Sequence, residues 1–142
     1  NPYNLVNRSY EIGMSEISIR ESAGLLAYSP LAAGYLTGKY RNNQMPKNSR
    51  MDLFYNNYPR YHNERTYKAV DEYFKVSQKH RISLTQLSQA FVNSRDFVTS
   101  NIIGATNMKQ LKENIDSINI SLNQEIMGEI NSIHENIPNP AP

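Results

Sequence analysis

Apolar and polar positions recur along this chain at two different periods, and the change of period marks out its elements. Two short runs, residues 25–28 and 99–103, have the length and apolar character of parallel strands. The rest is spaced as helices. Residues 11–22 predict a short helix with Ile12, Ile17 and Ile19 as its apolar points, ending near Gly24. Residues 63–80 place Val70, Tyr73, Phe74 and Ser77 on one stripe, with charges opposite. Residues 83–94 open with Ser83 and Gln86 at capping-box spacing and bury Leu84, Leu87 and Phe91. In residues 107–118 the pattern buries Met108, Leu111, Ile115 and Ile118, which turns Gln110, Glu113 and Asn114 toward solvent or a ligand. Residues 121–137 repeat the capping device with Ser121 and Gln124 and align Leu122, Ile126, Ile130, Ile133 and Ile137 as a terminal helix would. Residues 40–59, polar and rich in asparagine, read as a long loop able to fold over a ligand, and residues 138–142 as a proline-rich end with little to fold around.

Two stretches carry chemistry. In residues 102–114 an apolar strand end, a glycine turn and a polar-started helix follow one another directly, which is how a backbone builds an anion seat. Gly104 removes the side chain where a phosphate must approach, and the first amides of the next helix have no partner within it. Thr106 or Asn107 can cap that helix, with Gln110 and Glu113 one and two turns in. Such a junction is common for turning alone, so it needs a second stretch beside it. Residues 27–40 supply one: Tyr28 ends a strand, where an aromatic face can stack on a flat ring, and the small residues beyond it let a ligand lie against backbone. Lys39 adds a point charge. Arg50 offers a planar fork suited to a phosphate or an adenine face, although solvated surface is the ordinary place for either cation.

Taken together, Tyr28-Ser29-Pro30-Leu31-Ala32, Gly38-Lys39-Tyr40, Ser49-Arg50 and Gly104-x-Thr106-x-x-x-Gln110-x-x-Glu113-Asn114 resemble the aldo-keto reductases, and within them the branch of Tas-type reductases and potassium-channel beta subunits. That branch has serine at the position of Thr106, so the hydroxyl is kept. The opening residues 1–8 resemble the segment leaving its sixth barrel strand. The resemblance implies an α/β fold, the (β/α)8 barrel, with residues 1–142 as the C-terminal part of a single barrel domain: two of its strands, surrounding helices and a terminal helix. It implies NADP(H) as cofactor and hydride transfer to a small aldehyde or ketone, or alternatively a regulatory subunit that senses NADPH with little turnover. By the same resemblance Tyr28 stacks on the nicotinamide, while Ser29, Pro30, Leu31, Ala32 and Ala33 follow the pyrophosphate and its sugar. Lys39 contacts phosphate; Arg50, Thr106 and Gln110 hold the adenosine end with its 2'-phosphate; Gly104 opens the seat; Glu113 and Asn114 bond the adenine.

The family's catalytic aspartate, tyrosine, lysine and histidine lie upstream of the motifs matched here, so no catalytic residue is assigned. His62, His80 and His134 read as surface or helix-end residues. The chain starts inside a motif without methionine, which reads as a partial sequence. Closing such a barrel takes roughly 250 residues, so these 142 are expected to be loosely folded alone, with the strand edge beside Leu25 unpaired.

Composition narrows the partners. There is no cysteine, hence no disulfide framework and no thiolate metal site, and no metal is expected. No apolar run approaches a membrane span and no signal peptide is recognisable, so the expectation is a cytoplasmic protein without a membrane partner. A formal charge of +2 from 15 basic and 13 acidic side chains is too small for nucleic-acid binding. Residues 82–90 vaguely resemble the first helix of a helix-turn-helix, but residues 95–98 lead into a strand instead of a recognition helix. Homo-oligomer formation is left open.

Overall fold

The computed structural model describes residues 1–142. Its sheet has two parallel strands, β1 (Leu25–Ala27) and β2 (Val98–Asn101), with Leu26 opposite Ser100 and Ala27 opposite Asn101 after an irregularity at Leu25/Leu26. The edge of β1 expected to be unpaired is occupied at its Tyr28 end. Pro2 bridges Tyr28 in parallel, the Tyr28 amide donates to the Asn1 carbonyl at 3.1 Å, and the Tyr3 amide donates to the Tyr28 carbonyl at 3.2 Å. Two or three extended residues are enough for this pairing, and so short a run announces itself by no period.

The crossover from β1 to β2 carries α2 (Arg50–Phe54), α3 (Glu64–Lys79) and α4 (Leu84–Asn93). Asn63 caps α3 by accepting from the Thr66 amide, and α3 buries Ala69, Val70, Tyr73 and Val76. The capping box of α4 forms as its spacing requires: Ser83 Oγ accepts from the Gln86 amide and Gln86 Oε1 from the Ser83 amide, both at 3.0 Å. Residues 40–59 are more ordered than a plain loop. They hold α2, with Ser49 as its cap, and short 3-10 turns on either side, anchored by the fully buried Met51, whose amide donates to the Tyr40 hydroxyl at 3.3 Å.

After β2 come α5 (Met108–Asp116) and α6 (Gln124–Asn136). The α6 cap is Asn123, which accepts from the Ile126 amide at 2.9 Å, so the helix starts later than the Ser121–Gln124 spacing suggested. The core lies on one side of the sheet. There Tyr3 stacks on Phe91 at 5.7 Å and meets the edge of Phe97 at 5.2 Å, among Leu5, Leu36, Leu87, Val92 and Ile130.

The other side is bare. Leu26 and Ile102 are half exposed, and so are Ile17 and Ile19 of α1 (Met14–Arg20), while Ile12 just before it is largely exposed. The buried residue of α1 is Ser18, bonded to the Tyr10 hydroxyl at 2.5 Å. The expected facing of α5 is also reversed. Met108, Ile115 and Ile118 are exposed and Asn114 is buried, because the polar side of α5 finds hydrogen-bonding partners on α4. Two helix faces and one sheet face thus remain uncovered by these residues.

The proline-rich end is bound, not loose. The Ala141 amide donates to the Val6 carbonyl at 3.1 Å, Asn139 Oδ1 accepts from the Arg8 amide at 2.6 Å, and the Pro140 carbonyl accepts from Asn63 and Thr66. Arg8 is itself a buried hub. Its guanidinium donates twice to Glu11 and once to Asn131, and stands 5.1 Å from the Phe91 ring centroid. Asn139 takes a left-handed φ of +42°, which lets the last residues turn back into this groove.

Candidate functional site

The carboxyl ends of β1 and β2 lie side by side, joined by the Ile102 amide donating to the Ala27 carbonyl at 2.7 Å. The Tyr28 and Gly104 stretches therefore leave the sheet from adjacent points. Tyr28 is half exposed, free to offer a ring face. Beyond it the backbone is left-handed at Ser29 (+56°), Ala32 (+48°), Ala33 (+55°) and Gly34 (+102°), with Pro30 and Ala32 buried and Leu31 and Ala33 partly so. Three non-glycine residues in this region within one loop mark stored strain, of the kind concentrated at functional sites.

Lys39 folds back over the same loop. Its ammonium lies 5.1 Å from the Tyr40 ring centroid, and a methyl group added at Gly34 would come within 3.2 Å of its Cε. Arg50, the first residue of α2, is exposed; its Nη1 donates to the Tyr58 hydroxyl at 3.1 Å instead of reaching the Gly104–Asn114 stretch.

Gly104 is exposed, and a side chain built there would meet nothing within 4 Å. Its φ is outside the left-handed region, so neither packing nor the turn requires glycine at this position; the space in front of it is open. Asn107 is the cap of α5, accepting from the Gln110 amide at 3.0 Å, while Gln110 Oε1 reaches back to the amide and hydroxyl of Thr106, each at 3.0 Å. The helix start is thus braced, and the Met108 and Lys109 amides are left without an intrahelical acceptor.

Glu113 and Asn114 do not face outward as their spacing suggested. Ser83 Oγ donates to Glu113 at 2.5 Å, Gln89 Nε2 donates to Asn114 Oδ1 at 3.3 Å, and Asn114 Nδ2 donates to the Gly104 carbonyl at 3.2 Å. Asn114 is a strut beneath the glycine turn. Sequence reasoning passed over the amides behind it: Asn101 donates to Gln89 and Asn93 at 2.7 and 2.9 Å, and Asn4 reaches the Ser29 carbonyl at 3.0 Å. The available signal was a polar residue inside a buried apolar run, Asn4 in Tyr3–Val6 and Gln89 in Leu87–Val92.

The histidines take structural places. His62 bonds the Tyr35 hydroxyl and the Tyr55 carbonyl, both at 2.8 Å, and stacks on Tyr55. His134 is pushed below the usual imidazole range by burial and by Arg8 nearby, and its Nδ1 has no hydrogen-bond partner. His80, Glu125 and Glu129 bring donor atoms within 4.8 Å of one another, but the Lys79 ammonium already sits on both carboxylates. A separate cavity of about 320 Å³ is walled by Tyr35, Tyr40, Met51, Tyr55 and Tyr67, and none of the predicted site residues lines it.

The aldo/keto reductase family model matches residues 1–135. The chain belongs to the aldo/keto reductase family. It is 44% identical over 142 residues to the protein Tas of Escherichia coli, a match spanning all of this chain and 41% of Tas. It is 33% identical to L-glyceraldehyde 3-phosphate reductase of the same organism, over 82% of this chain and 35% of that one. A probable voltage-gated potassium channel subunit beta of Oryza sativa is 33% identical over 81% of this chain and 36% of its own length. Among solved structures, the glycerol dehydrogenase of Gluconobacter oxydans superposes with a TM-score of 0.74 at 25% identity, over 97% of this chain and 42% of that one. The family and fold expected from the motifs are thereby shown: these residues are part of an aldo/keto reductase barrel, and they span about two fifths of the relatives they match. No helix is long and apolar enough to cross a membrane.

Proposed function

We propose that this chain forms the dinucleotide-binding side of an NADPH-dependent oxidoreductase that reduces a small aldehyde or ketone to the alcohol. One observation carries the reading: the exposed Tyr28 ring with its left-handed small-residue loop, and the open Gly104 turn, emerge next to each other from paired strands. The residues fit a dinucleotide: at the open Gly104 position neither packing nor φ calls for glycine, so a close-lying ligand is what gains there from the missing side chain. When bound, NADPH supplies the hydride. Tyr28 would stack against the nicotinamide, the loop from Ser29 to Ala33 with Lys39 would hold the pyrophosphate, and Thr106 and Gln110 with Arg50 would hold the adenosine 2'-phosphate. Asn114 acts on the adenine end chiefly by fixing the turn at Gly104, and Glu113, bonded to Ser83, ties the same helix to the start of α4.

The uncovered faces of α1, α5 and the sheet support the view that this piece works against the remainder of a barrel. The kinship to potassium-channel beta subunits favours a second reading, an NADPH sensor with little turnover. Titrating the native protein with NADPH, followed by nicotinamide fluorescence, tests both. Saturable binding and oxidation of NADPH with aldehydes or ketones is the expected result. Binding without turnover across a carbonyl panel selects the sensor, and no binding overturns both.

A further inference from the structure

We propose that Asn4 is a positioning residue for the dinucleotide loop: its buried side-chain amide holds the left-handed backbone that begins at Ser29. This inference rests on the reading of the site given above and names the residue that keeps that site in shape.

Backbone at positive φ is disfavoured for any residue with a Cβ, and it persists where the surroundings over-determine it. Ser29, Ala32 and Ala33 all lie there, and the loop's own bonds tie it only to itself: Ala32 N–H to the Ser29 carbonyl at 2.9 Å, Gly34 N–H to the Leu31 carbonyl at 2.8 Å, and the Thr37 hydroxyl to the Gly34 carbonyl at 2.8 Å. The hydrogen bond that reaches in from a distant part of the chain comes from Asn4 Nδ2, to the Ser29 carbonyl at 3.0 Å.

Asn4 is well placed to act as a fixed point. It is wholly buried, its Oδ1 accepts from the Val6 amide at 3.0 Å, and its own amide and carbonyl both pair with Asn7 at 3.0 Å. The orientation of the side chain follows from its neighbours, since an amide N–H requires the oxygen and a carbonyl requires the nitrogen. The preceding residue clamps Tyr28 as well, through the Tyr3 amide and the Tyr28 carbonyl. One segment thus sets two consecutive residues of the loop, the ring that stacks and the carbonyl that starts the turn.

The test is Asn4→Ser in the native protein. A serine hydroxyl can still accept from the amide two residues on, but it is too short to reach Ser29. Because the loop serves the part common to both coenzymes, the dissociation constants for NADPH and NADH are expected to rise together, about tenfold. Hydrogen exchange at Ala32 and Gly34 is expected to accelerate while the α3 core amides stay unchanged. Unchanged affinity, loss confined to NADPH, or exchange accelerated throughout the chain would each overturn the proposal. Asn4→Thr, whose hydroxyl can likewise accept from the Val6 amide and is too short to reach Ser29 while its methyl group fills more of the buried space, gives a second variant with the same outcomes if the serine variant fails to fold. Should the native protein bind neither coenzyme, the reading of the site falls and this inference with it; if the native protein binds and both variants bind equally well, the inference alone falls.

Discussion

Ile102 donates its main-chain amide to the Ala27 carbonyl at 2.7 Å, just where both strands give way to loops. Parallel strands in adjacent positions deliver their following loops to the same end of the sheet, which is where α/β folds place their ligands. Here that places the Tyr28 loop beside the Gly104 turn, although 76 positions of sequence, 28 to 104, separate them. The struts beneath differ on the two sides: Asn4 braces the first loop and Asn114 the second.

Gly104→Val tests whether open space at the turn is ligand space. Since a Cβ there meets nothing and φ is ordinary, stability is expected to change by no more than about 0.5 kcal/mol. NADPH affinity is expected to fall at least tenfold, about 1.4 kcal/mol. Thermal melting and coenzyme titration of the same sample decide it; unchanged affinity would move the seat elsewhere.

Arg50→Ala separates the two coenzymes. Arg50 is exposed and its one polar partner is Tyr58, so its loss is expected to leave stability nearly intact. If its guanidinium turns from Tyr58 to the 2'-phosphate, NADPH binding is expected to weaken by about 1–3 kcal/mol and NADH binding hardly at all. Parallel titrations with both coenzymes check this, and equal losses would remove the assignment.

Motif chemistry was more legible in the sequence than packing. Short-range signals, a strand end and a helix cap, mark the Tyr28 and Gly104 stretches in the sequence, and the parallel pairing of β1 with β2 sets them side by side. The face of α5 was misread for a physical reason: Met108, Ile115 and Ile118 form a sound apolar stripe, but the surface that would cover it is not among these residues, while Glu113 and Asn114 find Ser83, Gln89 and Gly104. Asn4 and the tail escaped notice since their partners lie 25 and 131 residues away, and the burial of Arg8, although its Glu11 partner is close in sequence, depends on Asn131, 123 residues on. No local window contains such a pair.

Glu11 gives the fold a dependence on acid. Burial pushes its carboxyl up, yet the bonds from Arg8 and Tyr3 outweigh that and hold it below its ordinary value of 4.5. A depressed carboxyl contributes stability that is present above about pH 4.5 and is lost as pH falls through its lower folded-state value. Glu11→Gln is expected to flatten the stability profile between that ordinary value and more acid solution. At neutral pH it also leaves the buried Arg8 without its anion, at a cost of roughly 3 kcal/mol. Urea midpoints of the native protein and variant at several pH values measure both effects, and parallel profiles would show that Glu11 does not titrate with folding.

Removing residues 139–142 should cost far more than a disordered end would. The Val6 carbonyl and the Arg8 amide, both in buried residues, lose Ala141 and Asn139, while Asn63 and Thr66 lose the Pro140 carbonyl. A stranded buried polar group costs about 1–3 kcal/mol, but water entering the opened groove recovers part of that, so a net loss of roughly 2–4 kcal/mol is expected. The effect should extend to the coenzyme. Val6 is the residue whose amide fixes Asn4 Oδ1, and Asn4 holds Ser29, so a loosened groove is transmitted to the loop through two hydrogen bonds. Denaturation of the truncated protein measures the first expectation and coenzyme titration, under conditions where it is fully folded, the second. An unchanged midpoint would mean that the tail only rests on the surface; a lowered midpoint with intact affinity would confine its role to stability and leave the Asn4 strut independent of it.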